Sequence, residues 1–381
     1  MGNICGGKDS SDGGSSSSSN NKNNNNNGRN PNNSSSGGNR SKTPTSPRSK
    51  SGSNAHQKGR RLLLVGAGDS GKSTIFKQLK RIYTNGFTDE ELKTAIPYIL
   101  ENIIRNMIQL CHATKTLQIS VREENVEKRD YYAEMTKNQR APLQGAKLWN
   151  QNMANDFKAL WNDEGIKKVF TDHRSEYLIE DSVNYYFEKL DEIGKPGWVP
   201  SDEDLLRTRI KTTGLVEQTF MSNGKPFTMI DVGGQRTERK KWIHQFENVD
   251  AILYICSLSE FDQKCYEDEV TNRMKESLDL FESYINSTYF ESSLVYLILN
   301  KIDLFTDKIK RGVRLKDTFK DYTGDQYDEE AAKQYVEGLY KLKDSHDKLR
   351  GVIYLTALDK ASLKAKLEEI VDDVVNAENE I

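Results

Sequence analysis

Gly66-Ala67-Gly68-Asp69-Ser70-Gly71-Lys72-Ser73 fits the pattern G-x-x-x-x-G-K-[ST] and follows directly on Leu62-Leu63-Leu64-Val65. A short continuous apolar run suits a strand buried on both faces, so the local order is set as strand, glycine loop, helix. In that setting the glycines let backbone N–H groups wrap phosphates at a helix N-terminus, Lys72 reaches the β and γ phosphates, and the Ser73 hydroxyl can ligate Mg²⁺. The segment from Gly66 to Thr74 therefore points to a nucleoside triphosphate and leaves the base open. A fortuitous glycine turn is the alternative, and the strand-to-helix setting disfavours it.

Comparable apolar runs recur at Phe227 to Ile230, Ala251 to Cys256, Leu294 to Leu299 and Val352 to Leu355, separated by polar, helix-compatible sequence. Their alternation predicts an α/β fold with a mostly parallel sheet and crossover helices. Leu215 to Phe220 and Phe227 to Ile230 flank Ser222-Asn223-Gly224, whose Asn-Gly predicts a hairpin and one antiparallel strand. Between Phe87 and Asp204 strand-like runs disappear. Thr88 and Glu91 form a capping box, and Leu92, Ile96, Ile99, Ile103, Met107 and Leu110 recur at helical spacing, with a kink expected at Pro97. Further helices are predicted at Gln144 to Leu160 and Ser182 to Leu190. The expected division is a tail at 1–58, an α/β domain formed by 59–86 and 205–381, and an all-helical insert at 87–204.

Residues 9 to 55 hold no aromatic side chain and no aliphatic larger than Ala, so they cannot bury enough apolar surface to offset the entropy of ordering. Eight Lys or Arg against Asp9 and Asp12 give residues 1–58 a net charge of +6, which leaves −8 on the remainder of a chain whose total is −2. A basic nucleic-acid-binding body is excluded on that balance. Cys5, Cys111, Cys256 and Cys265 show no CxxC pair and no His at metal-ligand spacing, which favours a reducing, intracellular setting. The longest apolar runs fall far short of a membrane span, and no apolar signal core follows Met1. Membrane contact is thus expected through a lipid or a partner.

Asn300-Lys301-Ile302-Asp303 follows the apolar run ending at Leu299. The Asp303 carboxylate can accept from both the ring N–H and the exocyclic amine of guanine, a donor pair that adenine lacks, so guanine is favoured. The bland reading, a capped loop, weakens downstream of the glycine loop. Asp231-Val232-Gly233-Gly234-Gln235 places Asp231 at the C-terminal end of a strand, where its carboxylate could hold Mg²⁺ through water and the Gly234 N–H could meet the γ-phosphate. A plain strand-to-turn sequence would read the same way.

Together with these three motifs, Asp204-Leu205-Leu206-Arg207-Thr208-Arg209-Ile210-Lys211-Thr212-Thr213-Gly214 and the run from Asp231 to Trp242 resemble the two switch segments of heterotrimeric G protein alpha subunits. The resemblance spans residues 59 to 381. It implies a Ras-like GTPase domain with an inserted helical domain, GTP/GDP and Mg²⁺ as ligands, and a nucleotide lined by Leu206, Arg207, Thr208, Arg209, Ile210, Lys211 and Thr212. It further implies that Thr212 supplies a second hydroxyl to Mg²⁺, Arg209 acts as a built-in arginine finger and Gln235 orients the attacking water. A fixed guanidinium suits charge spreading over phosphoryl oxygens, and an amide can both donate to water and accept from it. Asp181 and Ser182 resemble the insert's contribution to the cleft, or equally a helix N-cap pair. Lys211 and the run Arg236, Arg239, Lys240, Lys241 read by default as solvated faces; by resemblance the second group is a switch surface that moves with the γ-phosphate and meets partners, effectors and GTPase-activating regulators among them.

The chain departs from the family in several places. Its N-terminal region is Ser/Asn-rich where family members carry an amphipathic helix for the beta-gamma dimer. Leu355-Thr356-Ala357-Leu358 keeps the Ala357 N–H that would meet the guanine oxygen. Asp69 stands where Glu is usual, a shorter carboxylate expected to pair more weakly with the switch arginine. The last helix, with Leu363, Leu367, Ile370 and Val374 on one stripe, lacks the Cys-Gly-Leu-type end associated with receptor coupling. Met1-Gly2-Asn3-Ile4-Cys5-Gly6 offers a myristoyl acceptor at Gly2 and a palmitoyl acceptor at Cys5, with Gly6 in place of the preferred Ser or Thr. Arg40, Lys42, Arg48, Lys50, Lys58, Arg60 and Arg61 have no acidic residue among them and could rest on an anionic leaflet. The expected protein is a GTP-hydrolysing switch on the cytoplasmic face of the plasma membrane. Its rivals are a guanine-nucleotide-binding interaction module with little turnover and, more remotely, a P-loop kinase.

Overall fold

The computed structural model describes residues 59–138, 145–246 and 248–377. Gly2, Cys5 and the basic tail therefore lie outside the described residues.

Six strands, β1 (Arg60–Val65), β2 (Leu215–Ser222), β3 (Lys225–Val232), β4 (Ala251–Ser257), β5 (Leu294–Asn300) and β6 (Leu349–Leu355), form one sheet in the order β2-β3-β1-β4-β5-β6. All neighbours are parallel except β2 and β3, which turn through Asn223 and Gly224, both at positive φ, as Asn-Gly hairpins require. The alternation of β1 divides its residues between two cores. Leu62 and Leu64 pack with Ile75, Phe76 and Leu79 of helix α1 (Lys72–Tyr83) and with the stripe Leu363, Leu367, Ile370 and Val374 of the Lys360–Ala377 helix. Leu63 and Val65 face the Arg273–Ile285 and Glu329–Lys341 helices. Because β1 is flanked by β3 on one side and β4 on the other, its carboxyl end, where Gly66 begins, is a topological switch point.

A third core belongs to the helical insert. Helix α2 (Asp89–Thr116) starts at the capping box of Thr88 and Glu91 and buries Leu92, Ile99, Ile103, Met107 and Leu110 against the other helices, with Ile96 half-buried at the edge. Full burial of such side chains contributes about 1.5–3 kcal/mol each. The helix runs through Pro97 without interruption: Pro97 and Lys93, the residue whose carbonyl loses a donor, are both exposed, so water can satisfy it. Leu205 and Ile210 also pack into this core.

Three expectations need correction. The helix predicted from Gln144 to Leu160 is two helices, Gly145–Leu148 and Gln151–Trp161, because Asn150 is extended and its side chain caps Met153 N–H; Gln144 lies outside the described residues. The Ser182 to Leu190 helix likewise stops at Glu188, a new turn starting at Leu190. Arg60 and Arg61 are strand residues paired with Asp250 at 3.2 Å and Glu217 at 3.0 Å, so they are not free members of the basic tail.

Candidate functional site

Gly71 sits at φ 106°, and a Cβ there would lie 2.1 Å from Asn300 Nδ2, so only glycine admits the asparagine that donates to Ser70 O at 2.9 Å. The first turn of α1 carries neither a side-chain cap nor an acidic residue, which leaves its N–H groups and the positive end of its dipole open to phosphate. Gly234 approaches from the end of β3: a Cβ there would stand 2.7 Å from the Gly66 and Ala67 carbonyls. Lys72 Nζ donates to those same carbonyls at 2.8 and 2.7 Å, and burial pushes its ammonium down to about 8.

Beside Lys72, Ser73 Oγ and Thr212 Oγ1 stand 2.7 Å apart, and both donate to Asp231 Oδ2, at 2.8 and 3.3 Å. Asp231 Oδ1 is buried and has no donor among the described residues. Two hydroxyls and a carboxylate with an unsatisfied oxygen form a hard-oxygen set suited to Mg²⁺. Among the described residues no three His, Cys, Asp or Glu side chains cluster to hold a metal by themselves. The residues present therefore fit Mg²⁺.

The cleft continues to the loop after β5. Asp303 is exposed and accepts from Thr356 Oγ1 at 3.2 Å. Asn300 is a spacer between loops, since its Oδ1 also accepts the Ala357 N–H at 3.0 Å. A guanine oxygen would have to share that N–H. Gln78 on α1 donates to Ala357 O and Leu358 O, fixing the same loop from below. Lys301, at φ 61°, reaches across to Asp181 at 2.8 Å. Burial works to raise the Asp181 carboxyl, but Lys301 and Arg174 outweigh it and hold it well below the usual carboxylate range. Ser182 occupies the N-cap position yet its side chain caps nothing, so the pair is not a side-chain cap.

Lys77 of α1 donates to Leu205 O at 3.0 Å and Thr208 O at 2.9 Å, and Asn102 of α2 donates to Arg209 O at 3.1 Å, so the backbone of the first switch is held from both domains. Leu206, Arg207, Thr208, Arg209, Ile210, Lys211 and Thr212 all line the cleft, as do Gly68, Asp69, Thr74, Asp181, Ser182 and Gln235. Gly66, Ala67, Ser70 and Gly233 lie behind that lining, and Val232 and Ile302 pack on the sheet core. Arg209 Nε pairs with Asp69 Oδ1 at 2.7 Å. The shorter carboxylate thus still reaches the arginine: Asp69 itself is left-handed, at φ 62°, and its other oxygen is held by Arg273 at 3.0 Å. In the second switch, Arg236 and Arg239 both engage Glu276, at 2.5 and 3.1 Å, while Lys240 and Lys241 remain exposed. Trp242 donates to Gly233 O at 2.7 Å and anchors the segment.

The chain matches the family model described as G-protein alpha subunit over residues 39–374. It belongs to the G-protein alpha subunit family. It is 38% identical over 319 residues to a guanine nucleotide-binding protein G(o) subunit alpha of Planorbella trivolvis, covering 84% of this chain and 88% of that one. It is 37% identical over 323 residues to the guanine nucleotide-binding protein alpha-3 subunit of Caenorhabditis elegans, covering 85% and 90%.

This alpha-family cleft also contains residues that no local pattern announces. Arg273, buried at the start of its helix, binds Glu260 at 2.8 Å and donates to Gly68 O at 3.1 Å, so it braces the phosphate loop. The Tyr266 ring lies 4.1 Å beneath the Arg209 guanidinium. Glu180 lines the cleft next to Asp181.

Proposed function

We propose that this alpha-family chain binds GTP and Mg²⁺, hydrolyses GTP to GDP and phosphate, and acts as a molecular switch relaying receptor signals to effectors. The observation that carries it is one cleft in which Lys72, the Ser73, Thr212 and Asp231 oxygens, Arg209 and Gln235 meet at one end and Asp303 stands at the other. Lys72 would leave the loop carbonyls for the β and γ phosphates. Arg209 would stabilise charge spreading over the transferring phosphoryl oxygens, and Gln235, at the head of the second switch, would orient the attacking water. Ser73 and Thr212 would hold Mg²⁺, which when bound would supply neutralisation of phosphate charge. Asp303 would accept the two guanine donors. Retention of both Arg209 and Gln235 in the cleft argues against a binder with little turnover.

Beta-gamma dimer, receptor, effector and GTPase-activating regulators are the partners proposed by family membership. Myristoylation at Gly2, palmitoylation at Cys5 and the basic tail are proposed to hold the protein on the anionic cytoplasmic leaflet of the plasma membrane. Single-turnover hydrolysis of GTP by the purified chain, beside Gln235→Leu and beside ATP, tests the reading; equal use of both nucleotides, or no difference between the two proteins, would refute it.

A further inference from the structure

Helix α2 places two buried asparagines one turn apart. Asn102 donates to Arg209 O at 3.1 Å, and Asn106 donates to Glu180 Oε2 at 3.2 Å while accepting Glu180 N–H at 3.1 Å. One rigid surface of the insert thus fixes the switch arginine's backbone and, beside it, a carboxylate. The other oxygen, Glu180 Oε1, is buried, accepts no hydrogen bond among the described residues, and lies 3.8 Å from Arg209 Nη1. Asp69 takes Nε of the same guanidinium, and the Tyr266 ring covers its face. Arg209 is thereby directed at two anionic oxygens of the protein.

We propose that Glu180 is a positioning residue that restrains Arg209 on the helical insert and so slows GTP hydrolysis. It rests on the reading of the cleft as a GTPase site. A γ-phosphate must compete for a guanidinium already facing two carboxylates, and hydrolysis proceeds from the fraction of time in which the phosphate wins. Asp69 is also committed to Arg273, whereas among the described residues Arg209 is the cation within ion-pair distance of Glu180 Oε1, with Arg105 acting on the carboxylate from farther away. Burial pushes the Glu180 carboxyl up to about 7, with Arg209 working against that rise, so the assay belongs at pH 8, where the carboxylate is charged.

The test is single-turnover GTP hydrolysis by the full chain for Glu180→Gln, which keeps the size and the Asn106 bonds but removes the charge. Faster hydrolysis by about two- to fivefold is expected, the range for one partly screened ion pair. The same substitution made on Arg209→Ala should change nothing, because the restraint acts only through that arginine. An equal acceleration on both backgrounds would mean general loosening of the cleft and would overturn the proposal, as would unchanged or slower hydrolysis in Glu180→Gln alone. Should Glu180→Gln not bind nucleotide, Glu180→Asp carries the same comparison, with a smaller acceleration expected. Absence of hydrolysis in the unaltered protein would instead remove the GTPase reading.

Discussion

Asp181 of the helical insert and Lys301 of the loop after β5 meet in a 2.8 Å ion pair, with side chains only 23% and 19% exposed. It joins the insert to the sheet domain, between two residues that both line the cleft. Breaking a largely buried pair costs about 3–5 kcal/mol, reduced here because both groups keep some water and Lys301 retains Glu260 at 3.8 Å. Asp181→Asn should speed GDP release by about tenfold with little change in hydrolysis of bound GTP. Release of a fluorescent GDP analogue measures it, and an unchanged rate would show that the pair does not close the cleft.

Arg209→Ala and Gln235→Leu address the chemical step. Both should leave nucleotide binding largely intact, while loss of the arginine should slow hydrolysis by about 10³–10⁵, or about 4–7 kcal/mol of transition-state stabilisation. Phosphate release after a single turnover gives the rate. Thr212→Ala should instead raise the Mg²⁺ concentration needed for half-maximal rate, since Thr212 Oγ1 shares Asp231 with Ser73.

Much of this cleft was legible in the sequence, because its motifs are local. A strand buried on both faces must be a continuous apolar run, which is why Leu62 to Val65 and Leu294 to Leu299 announce β1 and β5 together with the loops that follow them. Asn150 and Lys189 were not legible as helix breaks: Asn can sit inside a helix, and only its cap to Met153 shows that it does not. Glu180, Tyr266 and Arg273 were missed for a different reason. Their roles are contacts with residues distant in the chain, Arg209 and Asp69 above all, and no periodicity encodes such a pairing.

Base choice gives a sharp substitution. Asp303→Asn replaces a carboxylate that accepts twice by an amide that accepts once and donates once, a pattern suited to xanthine, whose position-2 substituent is a carbonyl. Competition binding should show loss of GTP and gain of xanthosine triphosphate. Retained preference for GTP would place the base elsewhere.

Membrane attachment is tested at Gly2. One acyl chain binds only marginally, so a second signal from Cys5 or the basic tail is needed for stable anchoring. Gly2→Ala should move the protein to the soluble fraction. If basic residues contribute, release of the unaltered protein should rise with ionic strength, as contacts screened over about 8–10 Å demand. Retention of the Gly2 variant on membranes would rule out the lipid.

Asp204 supports the first switch through stability. Its fully buried carboxylate accepts from Ser201 N–H at 2.7 Å, Ser201 Oγ at 2.8 Å, Lys189 Nζ at 2.7 Å and Tyr185 OH at 2.8 Å, and its own backbone carbonyl accepts from Thr208 Oγ1 at 2.6 Å. Burial works to raise this carboxyl, but the hydrogen bonds from Lys189, Ser201 and Tyr185 outweigh it and leave it below its ordinary value. Asp204→Asn keeps the shape while placing an amide N–H₂ among donors, which should cost about 2–4 kcal/mol. A carboxyl lowered in the folded state adds stability that is complete above its unfolded value, about 4, and is lost as pH falls through the folded one. The gap in Tm between the two proteins should therefore be widest at pH 6–8 and narrow below about pH 4. A gap that stays constant down to pH 3 would mean that packing, and not the carboxylate charge, holds this corner of the switch.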